Sequence, residues 1–150
     1  MRLLFATLLA FATPLLGQSP PSIVGIHLGD SRQLLDSLLG LPDRMPRGEV
    51  YIDGVRVPYA LEYSQQGLRL LYSESRGVTL MSLTRRSAGN VDGVRVGDSL
   101  SAIIPRWGIP SGGSGAGVSE RLAWDRGTWR FIVDSESGIV VQVGIEEWKR

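Results

Sequence analysis

The chain contains Gly25-Ile26-His27-Leu28-Gly29-Asp30-Ser31 and, after eight further residues, Gly40-Leu41-Pro42. The same pattern returns 68 residues later as Gly93-Val94-Arg95-Val96-Gly97-Asp98-Ser99 and then Gly108-Ile109-Pro110. Six positions are identical, all of them glycine, proline, aspartate or serine. Such self-similarity at one fixed offset indicates that a supersecondary unit has been duplicated.

Each copy of this pattern has the residues that begin and end a short helix. Asp30 and Ser31 in the first copy, and Asp98 and Ser99 in the second, are predicted N-terminal helix caps, because their side-chain oxygens can accept from free backbone N–H groups. The glycine of each Gly-x-Pro segment can adopt a left-handed conformation that ends a helix, and the proline prevents it from continuing.

Alternating apolar residues predict antiparallel strands after each helix. In the first half the predicted strands are 59–64, 68–73 and 78–83, with a hairpin near Asp53-Gly54; in the second half they are 120–125, 128–133 and 139–146. The sequence thus predicts an α+β fold of two tandem repeats, each a short helix followed by a three- to four-stranded antiparallel meander. The predicted divisions are a signal peptide at 1–17, repeat unit 1 at 18–88 and repeat unit 2 at 89–150, the two units packing as one domain.

Two details of the second half follow from the same pattern. A two-residue loop at Arg126-Gly127 would place Trp124 opposite Trp129, giving the sheet an aromatic face. The glycine-rich segment 110–117 is predicted to be a flexible loop.

The repeated pattern before an antiparallel meander resembles two groups of exported bacterial modules: the SmpA/OmlA-like outer-membrane assembly lipoproteins and the tandem-repeat β-lactamase-inhibitor-protein-like domains. The resemblance covers 25–42 and 93–110, and loosely the strands after them. It implies short helices against an antiparallel sheet and a role in binding proteins. The chain departs from the first group by lacking a cysteine for a lipid anchor, and from the second by lacking disulfides.

Composition excludes several classes of site. The chain has no cysteine and one histidine, His27, so we predict no disulfide, no metal site, no cofactor and no lipid anchor. Lys plus Arg is 16 and Asp plus Glu is 15, a balance that gives no electrostatic reason to expect nucleic acid as a partner.

The N-terminus has the pattern of a secretory signal peptide. A positive Met1-Arg2 precedes an apolar run and small residues, which predicts cleavage between Ala12 and Gly17. The run is shorter than the roughly 20 residues of a membrane span and includes Pro14, so no transmembrane segment is expected after cleavage. An exported chain without cysteine is typical of bacterial export, which predicts a periplasmic or secreted protein.

The sequence Gly97-Asp98-Ser99-Leu100 matches the signature of GDSL-type esterases, in which the serine is the nucleophile. That family's base is a downstream histidine, and no histidine follows His27 here. The pairs Asp134 with Glu136, and Glu146 with Glu147, lie outside apolar runs that would tune them for acid–base catalysis. We therefore predict no catalytic residue and interpret the serines as helix caps.

The function predicted from the sequence is that of an exported, non-enzymatic binding module for a protein or cell-envelope component. Exposed aromatic and arginine side chains and the glycine-rich segment supply the candidate binding residues. These are Trp148, Trp107, Arg121, Arg130, Ser114 and Gly115. The alternatives are a small secreted hydrolase or carbohydrate-active protein, and an inhibitor of a secreted enzyme that would insert the segment 111–119 into its target.

Overall fold

The computed structural model of the protein describes residues 19–46 and 51–148. The predicted signal peptide, 1–17, lies outside the described residues. The helices are α1 (Arg32–Leu39) and α2 (Leu100–Trp107), and Arg86–Ala88 forms one turn of 3-10 helix. The strands are β1 (Tyr51–Ile52), β2 (Val55–Arg56), β3 (Tyr59–Tyr63), β4 (Leu68–Ser73), β5 (Gly77–Leu83), β6 (Gly112–Ala116), β7 (Ser119–Asp125), β8 (Trp129–Glu136) and β9 (Ile139–Glu147). The six strands predicted from apolar alternation are β3, β4, β5, β7, β8 and β9, with bounds that differ by at most three residues.

Seven strands form one antiparallel sheet in the order β3-β4-β5-β9-β8-β7-β6. The two halves of the chain join where β5 pairs with β9, with Leu80 opposite Glu146 and Leu83 opposite Val143. The strands β1 and β2 form a separate two-stranded sheet. The protein is therefore mostly β, with one continuous large sheet and two helices of eight residues each.

The predicted fold class, α+β with two tandem helix-plus-meander repeats, is wrong. The structure is one sheet-rich domain, because the β5–β9 pairing merges the strands of both halves and gives them a common core. The halves also differ in content, since a separate hairpin precedes β3 whereas β6 extends the main sheet before β7. A half-chain of this size buries too little apolar surface to be stable alone, which favours such a merged core.

Serine side chains cap both helices. Ser31 Oγ accepts a hydrogen bond from the Leu34 backbone N–H at 3.4 Å, and Ser99 Oγ accepts one from the Ser101 backbone N–H at 3.3 Å. Each bond satisfies one of the backbone donors that the first turn of a helix leaves free.

The aspartates before these serines do not cap the helices. The Asp30 carboxylate accepts from the His27 backbone N–H at 2.8 Å, and the Asp98 carboxylate accepts from the Arg95 backbone N–H at 2.9 Å. The prediction that Asp30 and Asp98 are helix caps is thus corrected: each aspartate closes the turn that leads into its helix. An aspartate carboxylate can accept from a nearby backbone N–H on either side in the chain, and here the donor is the residue three positions earlier.

The glycine-rich segment 110–117 is not the predicted loop. It contains β6, which pairs with β7 and places Ser114 opposite Arg121. Glycine permits this close pairing, because a Cβ at Gly115 would lie 2.5 Å from the Ser119 carbonyl oxygen. The segment therefore adds a seventh strand at one edge of the sheet.

The pairing of β7 with β8 differs by two residues from the prediction. Trp124 lies opposite Phe131 and not opposite Trp129, because Asp125 pairs with Arg130, which leaves four residues between the paired positions where the prediction left two. A shift of two residues leaves every side chain on its predicted face. Trp124, Trp129 and Phe131 are accordingly all buried on the face that packs against the helices.

Candidate functional site

Trp107, a predicted binding residue, lies in the core. Its side chain is 5% exposed and stacks on Phe131 with ring centroids 4.2 Å apart. Trp124 contacts the Trp107 ring edge-on, with ring centroids 5.3 Å apart. The Nε1–H of Trp107 donates to the Asp92 carboxylate at 2.8 Å. The indole of Trp107 thus fixes α2 to the sheet, and its burial leaves it little surface for a partner.

Trp148 lies directly after β9 and continues its pairing. Its backbone N–H donates to the Thr128 carbonyl oxygen at 2.7 Å. The guanidinium of Arg130 stacks on the indole, with its central carbon 3.7 Å from the ring centroid, and Arg130 also pairs with Glu146. This cation–π contact and ion pair hold the half-buried indole in one orientation.

The indole nitrogen of Trp148 is a free donor in a partly buried position. Within residues 19–46 and 51–148, Nε1 is buried and has no hydrogen-bond acceptor. Buried indole N–H groups usually find an acceptor, since an unpaired buried donor costs free energy.

Trp148 borders an open cleft of about 710 Å³ at one end of the sheet, here called the Trp148 cleft. The turn that precedes α1 forms one wall, because the Gly29 backbone N–H donates to the Val78 carbonyl oxygen at 2.8 Å at the start of β5. Arg76 and Glu147 form an ion pair at 2.9 Å among the lining residues. The residues that line the cleft are Pro20, Leu28, Gly29, Arg76, Val78, Gly127, Thr128, Trp129, Glu147 and Trp148.

A second cleft of about 520 Å³ lies next to the first and shares Trp129 with it. Pro20 lines the Trp148 cleft, whereas Ser19 and Pro21 line the second. The described N-terminal segment therefore passes between the two clefts. Arg126 also lines the second cleft, and its guanidinium lies 5.4 Å from the Phe131 ring centroid.

Arg121, another predicted binding residue, is held in an ion pair. Its Nε and one terminal nitrogen donate to the two carboxylate oxygens of Asp134 at 2.6 and 2.7 Å. The hydrogen bond to Asp134 raises the pKa of Arg121 above its ordinary value. Arg121 and Arg130 share the sheet face opposite the helices with a small apolar cluster of Leu80, Ala123 and Ile132.

The structure brings some of the predicted binding residues together and separates others. Arg130 and Trp148 are in direct contact beside the Trp148 cleft. Ser114 and Gly115 lie on β6 at the sheet edge, separated from β9 by two strands. The predicted set is therefore not one site, and only Trp148 lines the large cleft.

Sequence reasoning missed Arg76, Thr128 and Glu147 as residues of the cleft. Arg76 and Glu147 are 71 positions apart and meet because β5 and β9 are neighbours. No local motif signals such a pair, because nothing in either segment identifies its neighbour in the sheet.

The catalytic interpretations find no geometry that supports them. The His27 side chain is 59% exposed and its Nδ1 lies 3.8 Å from the Asp30 carboxylate, whereas the Ser31 hydroxyl serves as a helix cap. The hydroxyls of Ser99 and Ser101 lie 2.8 Å apart, and Ser99 caps α2. A nucleophilic serine needs a base within hydrogen-bond distance, and neither serine has a histidine there.

Three of the four carboxylates considered for acid–base chemistry form ion pairs with arginines. Asp134 pairs with Arg121, Glu146 with Arg130 and Glu147 with Arg76. No group of three or more potential metal ligands is found within the part of the chain that the structure describes. Nor does any helix in that part have the length and apolar character to cross a membrane.

No known family profile and no curated protein matches the sequence. Among solved structures, a DUF4309 family protein, YjgB, from Bacillus subtilis aligns with a TM-score of 0.59 and 13% identity over 88% of both chains. An extracellular protein containing an SCP domain from Bacillus anthracis aligns with a TM-score of 0.56 and 10% identity, over 80% of this chain and 44% of its own. A cysteine-rich secretory protein, SAV1118, from Staphylococcus aureus aligns with a TM-score of 0.57 and 16% identity, over 86% of this chain and 47% of its own.

These similarities are at the level of the fold. The chain spans less than half the length of the last two proteins. None of the three is described as an SmpA/OmlA-like or β-lactamase-inhibitor-like protein, so the resemblance drawn from the repeated pattern stays an expectation.

Proposed function

We propose that the protein is an exported bacterial binding module that recognises a protein or cell-envelope component through the Trp148 cleft. The observation that carries the proposal is the cleft itself, a concave surface of about 710 Å³ bordered by the half-buried indole of Trp148. Ligand sites are typically clefts of about 300–1,000 Å³ with apolar walls and a few placed polar groups.

The chemistry of the cleft favours binding over catalysis. Leu28 and Trp148, which are both half-buried, offer apolar surface at the cleft, and the Arg76–Glu147 ion pair places charged groups beside it. We infer that the ligand presents an apolar group to Leu28 and Trp148 and a polar group to the ion pair. A side chain and its neighbouring backbone amide on an extended segment of a partner protein have this combination.

Export rests on two separate supports. Residues 1–17 have the charge and apolar pattern of a signal peptide, and two proteins of similar fold are described as extracellular or secretory. We therefore place the binding function in the periplasm or outside the cell. No observation favours the hydrolase alternative, since Asp134, Glu146 and Glu147 are all paired with arginines.

Site-specific photo-crosslinking tests the proposal. A benzoylphenylalanine residue replaces Thr128 in the Trp148 cleft, and a control protein carries it at Leu41, an 80% exposed position after α1. Both proteins are expressed with export in the source bacterium and irradiated, and adducts are identified by mass spectrometry. We expect one reproducible adduct from position 128 that position 41 does not give.

A second substitution links the adduct to the cleft. Trp148→Ala in the position-128 protein should reduce the adduct at least tenfold, and Trp148→Phe, which keeps a smaller aromatic ring, should reduce it by a smaller factor. Circular dichroism checks that each variant is folded. Absence of an adduct at position 128, or an adduct that Trp148→Ala leaves undiminished, would refute binding through this cleft. An adduct with a secreted enzyme would support the inhibitor alternative as a special case.

A further inference from the structure

The N-terminal segment Ser19–Pro21 runs along the boundary between the two clefts. Pro20 lines the Trp148 cleft, whereas its neighbours Ser19 and Pro21 line the second cleft, so successive residues face opposite clefts. That alternation is typical of an extended backbone, which is also the conformation that a proline favours in the residue before it. The segment is therefore an extended, proline-containing chain that lies against both clefts.

Packing alone holds this segment in place. Within residues 19–46 and 51–148, no hydrogen bond involves 19–22, and a proline has no backbone N–H to donate. The first fixed point is Ile23, which exchanges two backbone hydrogen bonds of 2.9 Å with Ile26 and whose side chain is buried. The residues before Ile23 can thus leave the clefts without breaking a hydrogen bond.

The residues at this boundary have the chemistry that binds an extended, proline-containing segment. Trp129 lines both clefts and yet is only 3% exposed, and Trp107 and Phe131 line the second cleft beside it. Proline-rich segments dock in aromatic-lined grooves because their backbone is preformed and loses little conformational entropy on binding. The carbonyl oxygens of such a segment are not bonded internally, and Arg106 and Arg126, which line the second cleft, carry guanidinium donors for them.

We propose that the two clefts are one groove for an extended, proline-containing segment of a partner protein, and that Ser19–Pro21 is a strap that occupies this groove until the partner displaces it. The proposal rests on the binding function proposed above and names its class of ligand. The strap shields Trp129 in the free protein, so the indole that borders both clefts is almost inaccessible. The occupied groove also weakens the apparent affinity for the partner, in proportion to the fraction of molecules in which the strap is released.

Loosening the strap tests its position without any partner. Pro20→Gly/Pro21→Gly removes both rings and gives the backbone more freedom to leave the groove. Trp129 should then join the half-buried Trp148 within reach of a soluble quencher. We therefore expect acrylamide to quench the tryptophan fluorescence about twofold more strongly in this variant than in the parent protein.

Pro46→Gly is the matched control for this measurement. Pro46 is also half-buried, but it lines a separate cleft together with Met45 and Tyr59, so its loss should leave the quenching unchanged. Circular dichroism checks that both variants are folded. A folded Pro20→Gly/Pro21→Gly protein that is quenched no more than the parent would overturn the strap.

A synthetic copy of the strap tests the class of ligand. Acetylated Ser-Pro-Pro-Ser, the sequence of residues 19–22, is titrated into isotope-labelled protein while NMR follows the four tryptophan indole signals. The strap variant should bind this peptide at least tenfold more tightly than the parent, because its groove is open, and acetylated Ser-Ala-Ala-Ser should bind neither protein. Equal binding by the two proteins, no binding by the strap variant, or equal binding of the alanine peptide would overturn the assignment.

Photo-crosslinking at position 128 separates this proposal from the binding function on which it rests. Pro20→Gly/Pro21→Gly in the position-128 protein should increase the adduct at least threefold, since the partner no longer competes with the strap. An adduct that stays the same or weakens would overturn displacement of the strap and leave the binding function intact. Absence of an adduct from both proteins would refute the binding function, and the peptide titration then decides the ligand class of the groove by itself.

Discussion

Replacing Trp107 by alanine should destabilise the protein strongly, because this side chain fixes α2 to the sheet. The indole is 5% exposed, stacks on Phe131 at 4.2 Å and contacts Trp124 at 5.3 Å. Truncating a large buried aromatic residue to alanine costs about 3–5 kcal/mol of unfolding free energy. For a chain of this size that corresponds to a melting temperature lower by about 6–20 °C.

One part of this loss belongs to a single hydrogen bond. Trp107 Nε1–H donates to the Asp92 carboxylate at 2.8 Å, and removing such a bond costs about 1 kcal/mol when the acceptor can be rehydrated. Asp92 has a positive φ of 46°, so Asp92→Gly removes the carboxylate without introducing backbone strain. A double-mutant cycle of Asp92→Gly with Trp107→Phe should therefore give a coupling energy of about 1 kcal/mol.

Urea unfolding followed by far-ultraviolet circular dichroism measures these losses. Tryptophan fluorescence is unsuitable because the substitution removes one of only four tryptophans. Ile109→Ala is the control, since this 85% exposed side chain follows α2 closely and its loss should change stability by less than about 0.5 kcal/mol. A Trp107→Ala protein destabilised by less than about 1 kcal/mol would refute the conclusion that this indole lies in the core.

Three further predictions concern turns, caps and titration. Gly138 has a φ of +78° with open space around a new methyl, so Gly138→Ala should lower the free energy of unfolding in urea by about 1–2 kcal/mol. Gly77→Ala should lower it clearly more, because its Cβ would lie 2.4 Å from a backbone oxygen. Equal losses for the two variants would contradict this. Ser31→Ala should lower stability by about 1 kcal/mol in thermal unfolding, and Ser31→Asp should restore it, because either oxygen can cap the helix. An unchanged stability in Ser31→Ala would show that the hydroxyl is not a cap. Burial and the hydrogen bond to Glu74 raise the pKa of Tyr59 from its ordinary 10 to about 12, so stability should fall as pH rises from 10 towards 12, since the unfolded chain loses this proton first. Burial also raises the pKa of Tyr63, so ultraviolet titration should show more than one late tyrosine, of which Glu74→Gln shifts only Tyr59 to lower pH. No such shift would count against the contact.

The predictions from the sequence are correct for elements whose stabilising contacts are local. Serine caps are correctly placed at Ser31 and Ser99 because the hydrogen bond spans two or three residues. The faces of β7 and β8 are also correct, since alternation assigns each side chain to one side of a sheet. Alternation does not fix register, and that is why Trp124 faces Phe131 and not Trp129.

The errors fall where local signals are ambiguous. A glycine-rich segment is typical of a loop, yet Gly112–Ala116 pairs with β7 as a strand because the neighbouring backbone supplies the hydrogen bonds. The carboxylates of Asp30 and Asp98 can each accept a hydrogen bond either from the helix that follows in the chain or from the turn that precedes it. The exposure predicted for Trp148 is only half realised, since Arg130 covers one face of the indole.

The amino-acid sequence by itself determined the positions of the helices and of six main strands, and the sheet face of the side chains on β7 and β8. These features depend on hydrogen bonds and burial patterns that extend over a few residues. Only the tertiary structure decided that β5 pairs with β9, that Arg76 meets Glu147 beside Trp148, and that β6 joins the main sheet next to β7. The physical reason is that an antiparallel strand can pair with many others of similar pattern, and the choice is made by the burial of the whole core.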